Sequence, residues 1–277
     1  MTPNKRPILI LTSAFGEGHN AAARNLAEAL RTEDPDRPVE VRDLFAEAYG
    51  PLYAIAQKGY FLCINRLPWL WSRFYGYLHR SEGAAGRVAV FRRSARLLRK
   101  TIGEKRPVVI VSTYPGYNHL LDHLDGRENR PYRTVTVVTD SISINALWYR
   151  GHSDLYLVPN PITARVMEES GVPAATIRAT GFPVPSVFAT LRGQRMSPGP
   201  AYPAKVLYLV NPGQKNAGEI LRELGKVEGI ELFAACGRDE GLRVELQKIA
   251  DTFPRPVRVQ GWMQDLPKQI ASNHLVA

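Results

Sequence analysis

Short aliphatic runs recur along the chain, each bounded by Pro or Gly: "ILILTS", "VVIVST", "TVTVVTD", "LYLVPN", "VLYLVNPG", "ELFAACG" and "VRVQGW". Runs of Val, Ile and Leu without polar alternation need cover on both faces, and parallel strands under helices on either side meet that need. Helical patterns lie between several of them. After the first run, Ala22, Leu26 and Leu30 share a face at i, i+4, i+8, with Ala23 and Ala27 beside them. "AGEILRELGKV" and "GLRVELQKIADTF" repeat that pattern after the fifth and sixth runs. Alternating strand and helix predicts an α/β, doubly wound, Rossmann-like architecture.

A chain of 277 residues exceeds the usual single core, and the composition changes near its last third. "RGQRMSPGPAYPAK", residues 192 to 205, is rich in Pro, Gly and basic residues and has no periodicity. This predicts a domain over 1–190, a linker over 191–204 and a second domain over 205–277. Only about three strand-helix units fit in the second, against the five or six strands usual for the type, so it is expected to be a partial domain. With 44% hydrophobic and 22% charged residues, the composition fits a globular protein and argues against disorder. The 36 Lys and Arg against 26 Asp and Glu give +10, which favours an anionic partner such as nucleic acid, a nucleotide or an acidic membrane. Basic residues spread along the chain, without a nucleic-acid motif, argue against the first. Cys63 and Cys236 stand far apart without metal-ligand spacing, so neither a disulfide framework nor a zinc site is expected, and a reducing compartment fits. The opening "MTPNKRPILILTS" reads as a first strand, not a signal peptide, and no run is long enough to span a bilayer.

Residues 51–80, "PLYAIAQKGYFLCINRLPWLWSRFYGYLHR", mix Tyr53, Tyr60, Phe61, Trp69, Trp71, Phe74, Tyr75 and Tyr77 with Lys58, Arg66, Arg73 and Arg80. Rings and cations together suit the headgroup layer of an anionic membrane. A helical excursion whose aromatics pack on the sheet would give the same composition.

Three strand ends carry polar residues. "SAFGEGHNAA" sets Gly16 and Gly18 between a strand and a helix, where free N–H groups and the helix dipole attract anions. It lacks the third glycine of a dinucleotide fingerprint and the GKS or GKT ending of a P-loop. His19 can serve as a base beside a bound anion, or simply cap the helix. "VSTYPGYNH" offers Ser112, Thr113, Tyr114, Asn118 and His119, and "VVTDSISINALWYR" offers Thr139, Asp140, Ser141, Asn145 and Trp148. Asp140 alone would read as a helix N-cap. One such strand end is uninformative, and three converging on one crevice are less so.

"SAFGEGHNAAARNLAEAL", "IVSTYPGYNHLL", "TVVTDSISINALWYRGHSDLYLVPNPITARVMEESGV", "IRATGFPV" and "ACGRDEGLRVEL", in that order, resemble the monogalactosyldiacylglycerol synthases and processive diacylglycerol glucosyltransferases. More distantly the chain is similar to the enzyme that adds N-acetylglucosamine to lipid II. The resemblance implies a GT-B glycosyltransferase of two Rossmann-like domains, the first for a lipid acceptor such as diacylglycerol and the second for a UDP-sugar. It implies transfer of a hexose with inversion and without a metal or other cofactor. His19 would be the base and Asp140 its support. Gly16, Gly18, Tyr114, Pro115, His119 and Trp148 would line the acceptor side; Gly213, Gln214, Gly237, Arg238 and Met263 the donor side. Trp69, Trp71, Arg66 and Arg73 would rest on the membrane, placing the enzyme peripherally on the cytoplasmic face. The chain departs from the family at "LVNPGQKNAG", where Asn211 and Pro212 stand at expected glycines. It also ends at "NHLVA", short of the family's sugar-binding loop, so the alternative is a lipid-binding protein or remnant with an incomplete donor site.

Overall fold

A computed structural model describes residues 5–15, 17–67, 69, 73, 91–126, 130–191, 203–210, 214 and 216–277. They form two compact units, 1–185 and 186–277, so the division falls a few residues before the Pro- and Gly-rich segment. Gly16, Trp71, Gly213 and most of the expected linker lie outside the described residues.

The first unit is built on a parallel sheet of β1 (Ile8–Leu11), β2 (Val39–Arg42), β3 (Val109–Ser112), β4 (Arg133–Val137), β5 (Leu155–Val158) and β6 (Ile177–Ala179), in the order β2-β1-β3-β4-β5-β6. Its helices are α1 (Glu17–Glu33), α2 (Leu44–Tyr49), α3 (Pro51–Arg66), α4 (Arg92–Lys105), α5 (Gly116–Asp125), α6 (Leu147–Arg150) and α7 (Pro161–Glu169). The aliphatic runs occupy the strands because both faces are covered. Leu9 and Leu11 point into a cluster with Leu44, Phe45, Leu98 and Tyr117, whereas Ile10 meets Ala23, Ala27, Val111 and Val137 on the other side. Buried alanines on α1 let that helix lie close to the strands.

Strand order reverses about β1 and β3, with Ile8 paired to Val39 on one side and to Val109 on the other. Connections leaving the carboxyl ends of these two strands run in opposite directions. The crevice that results is where open α/β sheets place ligands.

The second unit begins with the short α8 (Val187–Thr190) and carries β7 (Ala204–Leu209), β8 (Ile230–Ala235), β9 (Arg258–Gln260) and β10 (Leu275–Val276), parallel in the order β10-β7-β8-β9. α9 (Ala217–Lys226), α10 (Glu240–Ala250) and α11 (Leu266–Ala271) complete it. The two-sided rule repeats here. Val206 and Tyr208 pack with Leu221 and Leu246, and Leu207 with Ala235 and Met263. Cys63 and Cys236 are free thiols.

Candidate active site

β1 ends at Leu11, and the chain then crosses the carboxyl edge of the sheet to enter α1. Several polar groups of this crossing are held. The Tyr117 hydroxyl donates to the Thr12 carbonyl at 2.9 Å, and Thr12 Oγ1 donates to Asn20 Oδ1 at 3.0 Å. The Ala14 N–H is shared by the Tyr53 hydroxyl at 2.7 Å and Asp43 Oδ2 at 3.0 Å, and Gln57 donates to the Ala14 carbonyl. A loop fixed this way presents the residues after it at one place.

His19 is the third residue of α1, inside its first turn, so it is not the helix cap. The ring is half-buried, with Nδ1 2.7 Å from the Thr139 hydroxyl at the end of β4. Tyr114, just past β3, stands edge-on to it at 5.3 Å between ring centres, and Trp148 lies tilted at 5.9 Å. Burial pushes the imidazole below its ordinary value of 6.5; the Asp140 charge and a backbone hydrogen bond with Thr113 act the other way, more weakly. The ring therefore rests neutral at pH 7, and both opposing groups favour the imidazolium once it forms. A base needs that combination.

Asp140 is not an N-cap. Trp148 Nε1 donates to Asp140 Oδ2 at 2.8 Å, and Trp148 itself is 1% exposed. The carboxylate is thus anchored to a buried ring and acts on His19 through its charge, while the direct partner of the imidazole is Thr139. The intervening loop is strained: Ile142 has φ +67°, uncommon for a β-branched residue. Thr163 Oγ1 accepts from the Ile142 N–H at 2.9 Å, and Asn160 Nδ2 donates to Ser141 Oγ at 2.7 Å.

The other expected residues divide. Gly18 has open space around it, Tyr114 and Trp148 wall His19, and Pro115 precedes the first residue of α5. His119 is turned to the protein, its Nε2 3.0 Å from the Leu147 carbonyl. In the second unit, Gly237 has φ +63° after β8, and the Arg238 guanidinium stacks on Trp262 at 4.4 Å. Met263 is 9% exposed with its side chain in the core. It borders a hollow of about 310 Å³ shared with Gln260, Trp262, Gln264, Asp265 and Gln269. Gln214 sits beside the Tyr208 phenol.

Among the described residues of this stretch, α3 divides its side chains between two faces. Tyr53 is buried and meets the Phe15 ring at 5.0 Å; Tyr60 meets it at 5.4 Å and has its phenol raised by burial and then by the Asp140 charge. Leu52, Ile55 and Leu62 are exposed on the far side, followed by Leu67, by Trp69 at 63% exposure, and by exposed Arg66 and Arg73. Thr139 stands among the strand-end hydroxyls and Tyr53 and Tyr60 among the aromatic residues of 51–80, but nothing in the sequence points to their partners here, and Asp43, beneath the loop with them, carries no signal beyond its place before an apolar helix start. A larger hollow of about 490 Å³ lies at the opposite, amino edge of the strands, around Val108, Arg130, Tyr132, Arg133, His152 and Asp154, and holds none of the expected site residues. Among the described residues no group of three or more His, Cys, Asp or Glu could hold a metal, and no helix is long and apolar enough to cross a membrane.

Against known proteins, residues 19–184 match the family model described as monogalactosyldiacylglycerol (MGDG) synthase. A processive diacylglycerol beta-glucosyltransferase of Bacillus cereus is 25% identical over 94% of this chain and 67% of its own length. The crystal structure of Acinetobacter baumannii MurG superimposes with a TM-score of 0.55 at 12% identity, over 98% of this chain and 70% of that one. Anabaena HepE in complex with UDP-glucose gives a TM-score of 0.52 at 14% identity, over 98% and 73%. Both structural likenesses are to the GT-B fold.

Proposed function

Because the chain belongs to the monogalactosyldiacylglycerol synthase family of glycosyltransferases, we propose that it moves a hexose from a UDP-sugar to the hydroxyl of a membrane lipid such as diacylglycerol, with inversion and with His19 as the base. The observation that carries this is the His19 imidazole, kept neutral by burial beside Thr139 and Asp140 at the switch point of the sheet. His19 takes the hydroxyl proton as the acceptor oxygen bonds to the anomeric carbon and the bond to the diphosphate breaks. Asp140 stabilises the imidazolium that forms. No step asks for a metal. UDP and the sugar are assigned to the second unit, at the hollow beside Met263 with Gln214, Gly237 and Arg238. The outer face of α3 with Trp69, Arg66 and Arg73 is assigned to the bilayer, since apolar side chains flanked by cations suit an anionic interface. The UDP-glucose bound by HepE supports the donor class, and the name of the Bacillus relative supports the acceptor.

The test is titration of UDP into the protein by calorimetry, with transfer from radiolabelled UDP-glucose and UDP-galactose to diacylglycerol vesicles. Heat of binding and labelled glycolipid are expected. Vesicle binding without UDP binding or transfer would replace the enzyme with a lipid-binding protein.

A further inference from the structure

α3 has two working faces. Residues 53, 57 and 60 lie on one, at i, i+4 and i+7, and 52, 55 and 62 lie on the other, so the helix stands between the exposed apolar stripe and the loop that leads to His19. The inner contacts are specific. The Tyr53 hydroxyl accepts from the Ala14 N–H at 2.7 Å, donates to Asp43 Oδ2 at 2.9 Å and lies 2.8 Å from the buried Ser13 Oγ. Asp43 is fixed in turn because its other oxygen caps α2, accepting from the Ala46 N–H at 2.9 Å. The Gln57 amide donates to the Ala14 carbonyl, so both polar groups of that one peptide residue are bound to α3. From Ala14 the linkage continues through rings: Phe15 against Tyr53 and Tyr60, Phe15 stacked with Tyr114 at 6.3 Å, and Tyr114 edge-on to His19. Burial raises the Tyr53 phenol to about 12, so it keeps its proton and its bond to Asp43 across the working pH range.

We propose that Tyr53 is a positioning residue for the reaction: its hydroxyl, with Gln57, sets the 13–15 loop and through it the place of His19, making α3 the part that transmits a disturbance of its outer face to the base. This rests on His19 being the base, but it concerns a different group and makes a separate claim. Tyr53 touches no reacting atom. Misplacement of a catalytic group by about 1 Å can cost on the order of 10²-fold, so a shift of this loop is large enough to be read as rate.

The experiment compares the intact protein with Tyr53→Phe, which keeps the ring against Phe15 and removes only the hydroxyl. Three readouts are taken: kcat and KM for both UDP-sugars on diacylglycerol vesicles, the melting temperature, and the His19 titration by NMR, with its signal assigned from the His19→Gln spectrum. Expected are a kcat lowered about 10-fold or more, KM for the donor unchanged, and a His19 midpoint moved up toward the ordinary value as the ring becomes more exposed. An unchanged kcat and an unchanged His19 titration would overturn the proposal. Should Tyr53→Phe fail to fold, Gln57→Met decides by the same readouts, because it removes the donor to Ala14 and leaves the ring network alone. Should the intact protein transfer no sugar, the catalytic reading fails, and the His19 titration alone then shows whether Tyr53 sets the imidazole's surroundings.

Discussion

At the scale of single residues, the proposed mechanism depends on the one imidazole that burial keeps neutral. His19→Ala is expected to lower the transfer rate by about 10²- to 10⁴-fold, the usual contribution of a general base, with vesicle binding retained; full activity in a steady-state assay would remove His19 from that role. The rate has its own pH signature. As the proposed base, His19 would act in its neutral form, and burial lowers its folded pKa, so the rate is expected to hold as pH falls through 6.5 and to decline only through the lower folded value. Stability follows the same group. Between the folded value and 6.5 the unfolded chain binds more protons than the native one, so this contribution is complete above 6.5 and is lost as pH falls through that window. In thermal melts the intact protein and His19→Gln should differ in the pH slope of stability between the folded value and 6.5 and run parallel above it. His19 could be singled out in the sequence, because a titratable residue in a glycine loop is unusual. Thr139 could not be given its role, since it is one of several hydroxyls at strand ends and only the fold selects it.

Elements meet at close quarters where glycine allows it. A Cβ on Gly151, at the end of α6, would fall 2.5 Å from the Asn118 Cβ and 3.0 Å from that residue's backbone carbon in α5, whereas one on Gly18 would meet nothing within 4 Å. Gly151→Ala is therefore expected to cost about 1–3 kcal/mol in urea unfolding. Gly18→Ala should leave stability unchanged or raise it by less than about 1 kcal/mol. The strands covered on both faces were legible as unbroken aliphatic runs. β2 and β6 were not: "VEVR" carries charges and "IRA" has only three residues, because each lies at an edge of the six-stranded sheet and is only partly buried. The aromatic content of α3 was equally visible, but not its division. Composition sums the two faces of a helix, and only the packing separates Tyr53 and Tyr60 from Leu52, Ile55 and Leu62.

For the whole molecule, net charge and the two separate cores make their own predictions. With a formal charge of +10, binding to anionic vesicles is expected to weaken steeply as salt rises from 0.05 to about 0.5 M, as the Debye length shrinks. Trp69→Ala should weaken that binding further at every salt concentration, and co-sedimentation indistinguishable from the unaltered protein would detach α3 from the bilayer. UDP at about 100 times its Kd should stabilise the native state by about 2.7 kcal/mol, seen as a raised melting temperature. Each unit has its own cluster of buried residues, and the boundary between the units falls at 185–186, ahead of the composition break. The sheet order has a consequence in time as well as space. β1 sits between β2 and β3, with Ile8 opposite both Val39 and Val109. A growing chain can pair the first of these soon after it leaves the ribosome, but β1 keeps one edge unpaired until Val109–Ser112 has emerged. Closing so long a loop is slow, and the open edge invites partners from other chains meanwhile. The nascent protein is thus most vulnerable to aggregation during the interval in which residues 43–108 are being made.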